Sequence, residues 1–456
     1  MKSRRSMLAL VLAKAMLCIG LLSLLACESP LSTPYPSAMS FSREQGSPRM
    51  LLQAQPQLSI EQQLDWAVGK SFATQAWVSG PASTTARDGL GPLFNANSCV
   101  GCHQYNGQGQ LPEHGPGLVL RIAPSGAQHQ AYGEQLQDHA LTGTLAEGQI
   151  TWQTVSALLA NRQGIVAPLN HRRYYIKNGQ YGDTSELAYS ARLAPALIGM
   201  GLLDGISDED ILRHSDPDDR DGNGISGRAI QRWDAASQRF RPGKFGWKAS
   251  QSSLKQQIAL AFSQDIGIRS PIYPAANCPA NTPSCDTQHE HEISAKLLDA
   301  VTNYIANLAI PSPRHNADFE KGFSVFQQLG CAACHIPATQ THIRASYPQP
   351  ANSSTLARSE TIYPFSDLLL HDMGPALADE HNTDNTPATE WRTAPLWGLG
   401  MRSIDPDHTR LLHDGRANSI HAAIFWHGGE AQLSRQQYLQ LESNSQHFLL
   451  NFLKAL

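Results

Sequence analysis

Two short motifs carry the strongest chemical signal in the chain. They are Cys99-Val100-Gly101-Cys102-His103 and Cys331-Ala332-Ala333-Cys334-His335. Thiols at i and i+3 share one face of a helical turn, so both can reach the vinyl groups of one porphyrin. The adjacent histidine then turns under the ring to bind iron. A zinc site would need four clustered ligands drawn from motifs far apart in the chain. Two haem c groups are therefore expected, attached through Cys99, Cys102, Cys331 and Cys334. His103 and His335 are the expected axial ligands. What fills the sixth position of each iron separates electron transfer from chemistry.

The other cysteines point to an oxidising compartment. Lys2, Arg4 and Arg5 precede an apolar run from Met7 to Ala26 that closes on Leu24-Leu25-Ala26-Cys27. This predicts a lipoprotein signal peptide over 1–26 and lipid on Cys27. Lys14 interrupts the run and argues against a retained membrane helix. The expected location is the periplasm, anchored to a membrane, with the outer membrane favoured. Cys278 and Cys285 then read as a small-loop disulfide. Residues 27–57 lack periodicity and predict a flexible tether.

The chain of 456 residues, 41 % hydrophobic and 16 % charged, can bury a sizeable core. Its formal charge of -4 and lack of basic tracts exclude nucleic acid as a partner. Two segments look alike, Ala86–Phe94 before Cys99 and Asp318–Phe326 before Cys331. In the second, Phe319, Phe323 and Phe326 fall on one helical face. Amphipathic helices over 293–308 and 448–456 would close each half, and Pro311 and Pro313 mark a linker. The predicted fold is mainly α, with two cytochrome c-like haem domains over 58–312 and 313–456. A loop-rich insertion, about residues 160–290, lies in the first.

Longer stretches resemble the di-haem cytochrome c peroxidase superfamily, closest to its di-haem oxidoreductase branch, also labelled thiol oxidoreductase. They are Gly91–Asn95, Ala194–Leu203, Lys244–Ala249, Trp391–Gly398 and Leu412–Arg416. The resemblance covers most of the chain after residue 60. It implies a peroxidase-like oxidoreductase in which the C-terminal haem feeds electrons to a reactive N-terminal haem. The family's electron-transfer haem takes a Met after its His-Asp-Gly turn, and that place falls on His427 here. A His335/His427 pair is implied, with Met373 the alternative ligand. Trp247 matches the tryptophan between the haems, and Gln257 and Asp265 match the distal glutamine and carboxylate. A carboxylate there could shuttle a proton for bound peroxide. The sixth ligand of the His103 haem stays unassigned, with His114 the nearest histidine. Implied partners are an electron-donor protein or quinol-linked chain, and peroxide or oxygen as oxidant. The alternative is a pure electron carrier with both irons six-coordinate. A third option is thiol chemistry at Cys278 and Cys285.

Asp219, Asp221 and Asn223 present oxygens at alternate positions with Gly224 sixth in the loop. This is the first half of a calcium loop, but Ile230 stands where the closing Glu belongs. The alternative is an Asp/Gly-rich turn.

Overall fold

A computed structural model describes residues 35–36, 39–123, 129–160, 166–279, 291–343, 358–382, 385–403 and 410–456. The expected signal peptide and Cys27 lie outside these residues. Residues 37–456 form one compact unit.

The mainly α expectation is corrected. Helix accounts for 30 % and strand for 19 %, and the described strands pair as seven two-stranded ribbons. The region read as a loop-rich insertion supplies much of the strand. A long hairpin joins Gln149–Ala160 to Val166–Lys177, and a short one joins Gln231–Asp234 to Arg239–Pro242. Leu118–Ile122 pairs with Tyr189–Leu193. Alternation of buried and half-buried residues along Leu118–Ile122 marks a strand with one face in the core. Proline and glycine content had hidden these strands.

Six helices position the site. They are α1 (Ile60–Thr74), α2 (Leu254–Asp265), α3 (Ala295–Ala306), α4 (Phe319–Gln328), α5 (Ile420–Trp426) and α6 (Ser443–Ala455). Ser59 and Gln62 form a reciprocal capping box at the start of α1. Ser294 caps α3 and Ser419 caps α5 by accepting a backbone N–H.

Helices α1 and α3 pack together, and α4 packs on α6. The two pairs match residue for residue. Gly69 of α1 faces the Ala300 carbonyl, and Gly322 of α4 faces the Phe448 carbonyl. Three residues earlier, Trp66 meets Tyr304 at 5.1 Å and Phe319 meets Phe452 at 5.0 Å. Glycine lets each pair of backbones approach closely. The structural counterpart of α4 is thus α1, not the 86–94 segment, which forms turns and a short strand at Leu93–Phe94.

The repeat extends to Arg192-Leu193-Ala194-Pro195 and Arg392-Thr393-Ala394-Pro395, each at the end of a strand. Gly201 then abuts the end of α3 at Ala306, and Gly400 abuts the end of α6 at Lys454.

The tether expectation also needs correction from residue 39 onward. Phe41, Met50 and Leu51 are buried in the main core. Ser42–Arg43 pairs in parallel with Ile310–Pro311. Burying these three side chains outweighs the polar composition around them.

Candidate haem sites

Each CxxCH motif opens onto its own cavity of about 220 Å³. Cys99–Cys102 forms a single helical turn, and Cys331–Ala333 forms a tighter one. In both turns the histidine N–H bonds back to the first cysteine's carbonyl, at 2.8 Å for His103 and 3.0 Å for His335. That return places thiols and imidazole on the same wall.

His103 Nδ1 lies 2.6 Å from the Pro195 carbonyl, His335 Nδ1 2.9 Å from that of Phe365, and His427 Nδ1 2.7 Å from that of Ala423. A carbonyl only accepts, so each Nδ1 carries the proton. Nε2 is then left with its lone pair, the form that ligates metal. Burial pulls His103 and His335 down to about 4 and lowers His427 as well, which keeps all three neutral. Burial also pushes the Cys99 and Cys331 thiols up to about 12, so they are not poised as thiolates.

The two cavities differ in what else they hold. The first takes Gln257, Ala261, Gln264 and Asp265 from one face of α2. Asp265 accepts from Gln135 Nε2 at 2.7 Å. Burial raises its carboxyl despite that bond and the nearby Arg121. Gln257 Oε1 is buried with no hydrogen-bond partner among the described residues. His103 is the only histidine and Met200 the only methionine among the described lining residues. His114 does not line this cavity. It is half exposed and pairs with Glu113.

The second cavity brings His335 and His427 together, with Met373 also in its wall. Trp247 and Arg392 line both cavities. The indole N–H of Trp247 donates to the Leu193 carbonyl at 2.9 Å, and the Arg392 backbone N–H donates to the Trp247 carbonyl at 2.9 Å. In the wall of the second cavity, Trp391 stacks on His413 at 3.6 Å, with Lys248 and Arg192 over the indole.

Sequence reasoning missed three buried groups, of which Arg392 and His371 line the cavities and Lys248 sits over the lining Trp391. Arg392 sits in a stretch that carried the resemblance, yet no role was read for it. His371 is buried between Asp367 (2.8 Å) and Glu430 (2.7 Å), which hold it protonated. Lys248 is fully buried and donates to the Pro387, Ala388 and Glu390 carbonyls. Glu430 lies 59 residues from His371, and the Lys248 acceptors lie 139 to 142 residues away, so no local pattern announces those contacts.

The remaining candidates lie elsewhere. Asp219 is half-buried and Asp221 exposed, and they accept from the Gly224 and Asn223 backbone N–H groups respectively. Asn223 accepts from Ile225. These bonds are those of an Asp/Gly turn. Among the described residues, the one cluster of three or more His, Cys, Asp or Glu ligand atoms is Cys334, Asp367 and His371. Cys278 is disulfide-bonded, and Cys285 lies outside the described residues.

The donor set fits haem. It offers paired thiols, neutral imidazoles with a free Nε2, and an orphaned amide oxygen facing the first cavity. No curated protein and no solved structure matches the chain. A family model does match, over residues 180–456, under the description "di-haem oxidoreductase, putative peroxidase". The match takes in the second CxxCH, α2 and both walls that carry Arg192 and Arg392, and begins after the first CxxCH. On that match, and with two CxxCH cavities of complementary design, the chain belongs to the di-haem oxidoreductase family.

Proposed function

We propose that this protein is a di-haem c peroxidase-like enzyme whose reactive centre is the first cavity. The supporting observation is the asymmetry between cavities. The second holds two neutral histidines whose Nδ1 is bonded to a backbone carbonyl, His335 and His427, while the first holds one of that kind, His103, together with Gln257 and a raised Asp265. When bound, the haems would supply two one-electron centres and the iron at which peroxide is reduced.

Reducing peroxide takes two electrons and two protons and gives two waters. Burial favours the protonated form of Asp265, which suits it to serve as the acid for the leaving oxygen. Gln135 fixes the orientation of that carboxyl. Gln257 Oε1 offers a free acceptor to a peroxide O–H. Trp247 fills the wall between the cavities and is the route for electrons from the His335/His427 side. Those electrons come from a donor protein or quinol-linked chain. We place the protein in the periplasm, held to a membrane by lipid on Cys27.

Cyanide titration of the ferric holoprotein tests this reading. One haem is expected to bind cyanide and to show a high-spin fraction beforehand. Two unreactive low-spin haems would refute it. Met200 in the first cavity wall favours a second reading, electron transfer alone with a thioether ligand on the first iron. On that reading Met200→Leu converts an inert haem to a cyanide-binding one.

A further inference from the structure

Arg392 is a buried cation with no carboxylate in contact among the described residues. It is 8 % exposed. Its Nε donates to the Gly246 carbonyl at 2.8 Å and its Nη1 to the Thr393 carbonyl at 3.0 Å. Those are neutral acceptors. Among the described residues no carboxylate is in ion-pair contact with it, and Asp367 acts only at a distance. Burial pulls its guanidinium down to about 10, the mark of a charge the protein itself does not offset.

The internal repeat sharpens the point. Arg192 holds the same place before its own Ala-Pro pair. It forms a bidentate pair with Asp379, at 2.9 and 2.7 Å, both side chains buried. The fold therefore supplies an acid to one of its two equivalent arginines and leaves the other facing both cavities. Buried charges are retained where something neutralises them. The group expected in both cavities carries two carboxylates of its own.

We propose that Arg392 is the shared anchor for haem propionates from both cavities, so that one guanidinium sets the potential of both irons. This rests on haem filling both cavities. The guanidinium fork suits carboxylate recognition and has N–H groups to spare. A cation at that wall favours the ferrous form of each haem.

The test is a spectroelectrochemical redox titration of holoprotein, with haem content measured on the same samples by the pyridine haemochrome. Haem content below two per chain in the wild type would defeat the underlying reading, whatever the potentials do. With two haems present, Arg392→Gln is expected to lower both midpoint potentials. The expected change in the ferrous-to-ferric ratio is on the order of tenfold at each iron, or ~59 mV for a one-electron couple. Arg392→Lys keeps the charge and should keep both potentials. Arg435 lines only the second cavity, so Arg435→Gln should lower one potential alone. The proposal fails if Arg392→Gln moves neither potential or only one. It also fails if Arg435→Gln moves both alike. Should Arg392→Gln not take up haem, Arg392→Lys decides. Potentials that fall in the lysine variant would show that hydrogen-bond geometry, not charge, is at work.

Discussion

Replacing Gly69 by alanine should loosen the α1/α3 pair by a predictable amount. A Cβ at Gly69 would stand 2.6 Å from the Ala300 carbonyl carbon and 2.9 Å from Tyr304 Cβ. The Ala300 oxygen is closer still. None of these atoms can rotate away, because two are backbone and the third is fixed to it. The helices α1 and α3 must separate by roughly 1 Å to restore van der Waals spacing. Overpacking of this kind costs about 1–3 kcal/mol, and the rigid neighbours favour the upper end. Alanine's helix propensity returns about 1 kcal/mol. The net loss should be about 2 kcal/mol. The strain has a defined path to the haem site. Trp66 Nε1 donates to the Tyr304 carbonyl at 3.0 Å, and Tyr304 Oη accepts from Asn106 at 2.7 Å, three residues past His103. The assay is guanidinium unfolding of holoprotein, followed by far-ultraviolet dichroism and by Soret absorbance. Gly46→Ala is the control, since nothing lies within 4 Å of that position. Gly322→Ala should lose a similar amount through Phe448 and Phe452. If Gly69→Ala unfolds at the same denaturant concentration as Gly46→Ala, the close-approach argument is wrong.

Asp265→Asn should cut peroxide turnover by about 10²–10⁴-fold with both haem spectra retained, which steady-state kinetics with spectra would show. It should also remove a pH dependence of stability. A carboxyl raised in the folded state stabilises fully below the ordinary carboxylate pKa and loses that contribution as pH climbs through its own value. Denaturant midpoints measured across that climb should fall in the wild type and stay flatter in the variant. His427→Met should raise one midpoint potential, because thioether ligation favours ferrous iron; an unchanged pair of potentials would point to Met373 as the native ligand. Lys248→Ala strips three carbonyls of their donor and removes a cation from Asp379, 3.4 Å away. A loss of about 3–5 kcal/mol in denaturant unfolding is expected.

Much of the chemistry was readable from order alone. CxxCH spacing is local, so Cys99, Cys102, His103, Cys331, Cys334 and His335 needed no tertiary information to be picked out. Helix α4 was equally legible, because Phe319, Phe323 and Phe326 mark one face within three turns. Family resemblance, on Ala194–Leu203 and Trp391–Gly398, pointed to the branch that the 180–456 match bears out. Helix α1 escaped notice because Ile60, Leu64 and Val68 are exposed while Trp66, Gly69 and Ala73 are buried. Apolar residues on both sides blur the period that identifies a helix.

Strand content was illegible for a related reason. The strands are short, some buried on one face and some, such as Glu390–Arg392, on both, so no single alternation marks them, and several pair residues far apart in sequence. Ser42 opposite Ile310 is the clearest case.

What the order of residues determines here is every feature set by neighbours within a turn or two: the paired thiols, the following imidazole, the capped amphipathic helices. What only the tertiary structure decides is every feature that depends on where a charge finds its partner. Arg192 and Arg392 begin matching tetrapeptides, yet one meets Asp379 and the other, among the described residues, touches no carboxylate. Burial and long-range approach assign those fates, and neither is encoded in a local pattern.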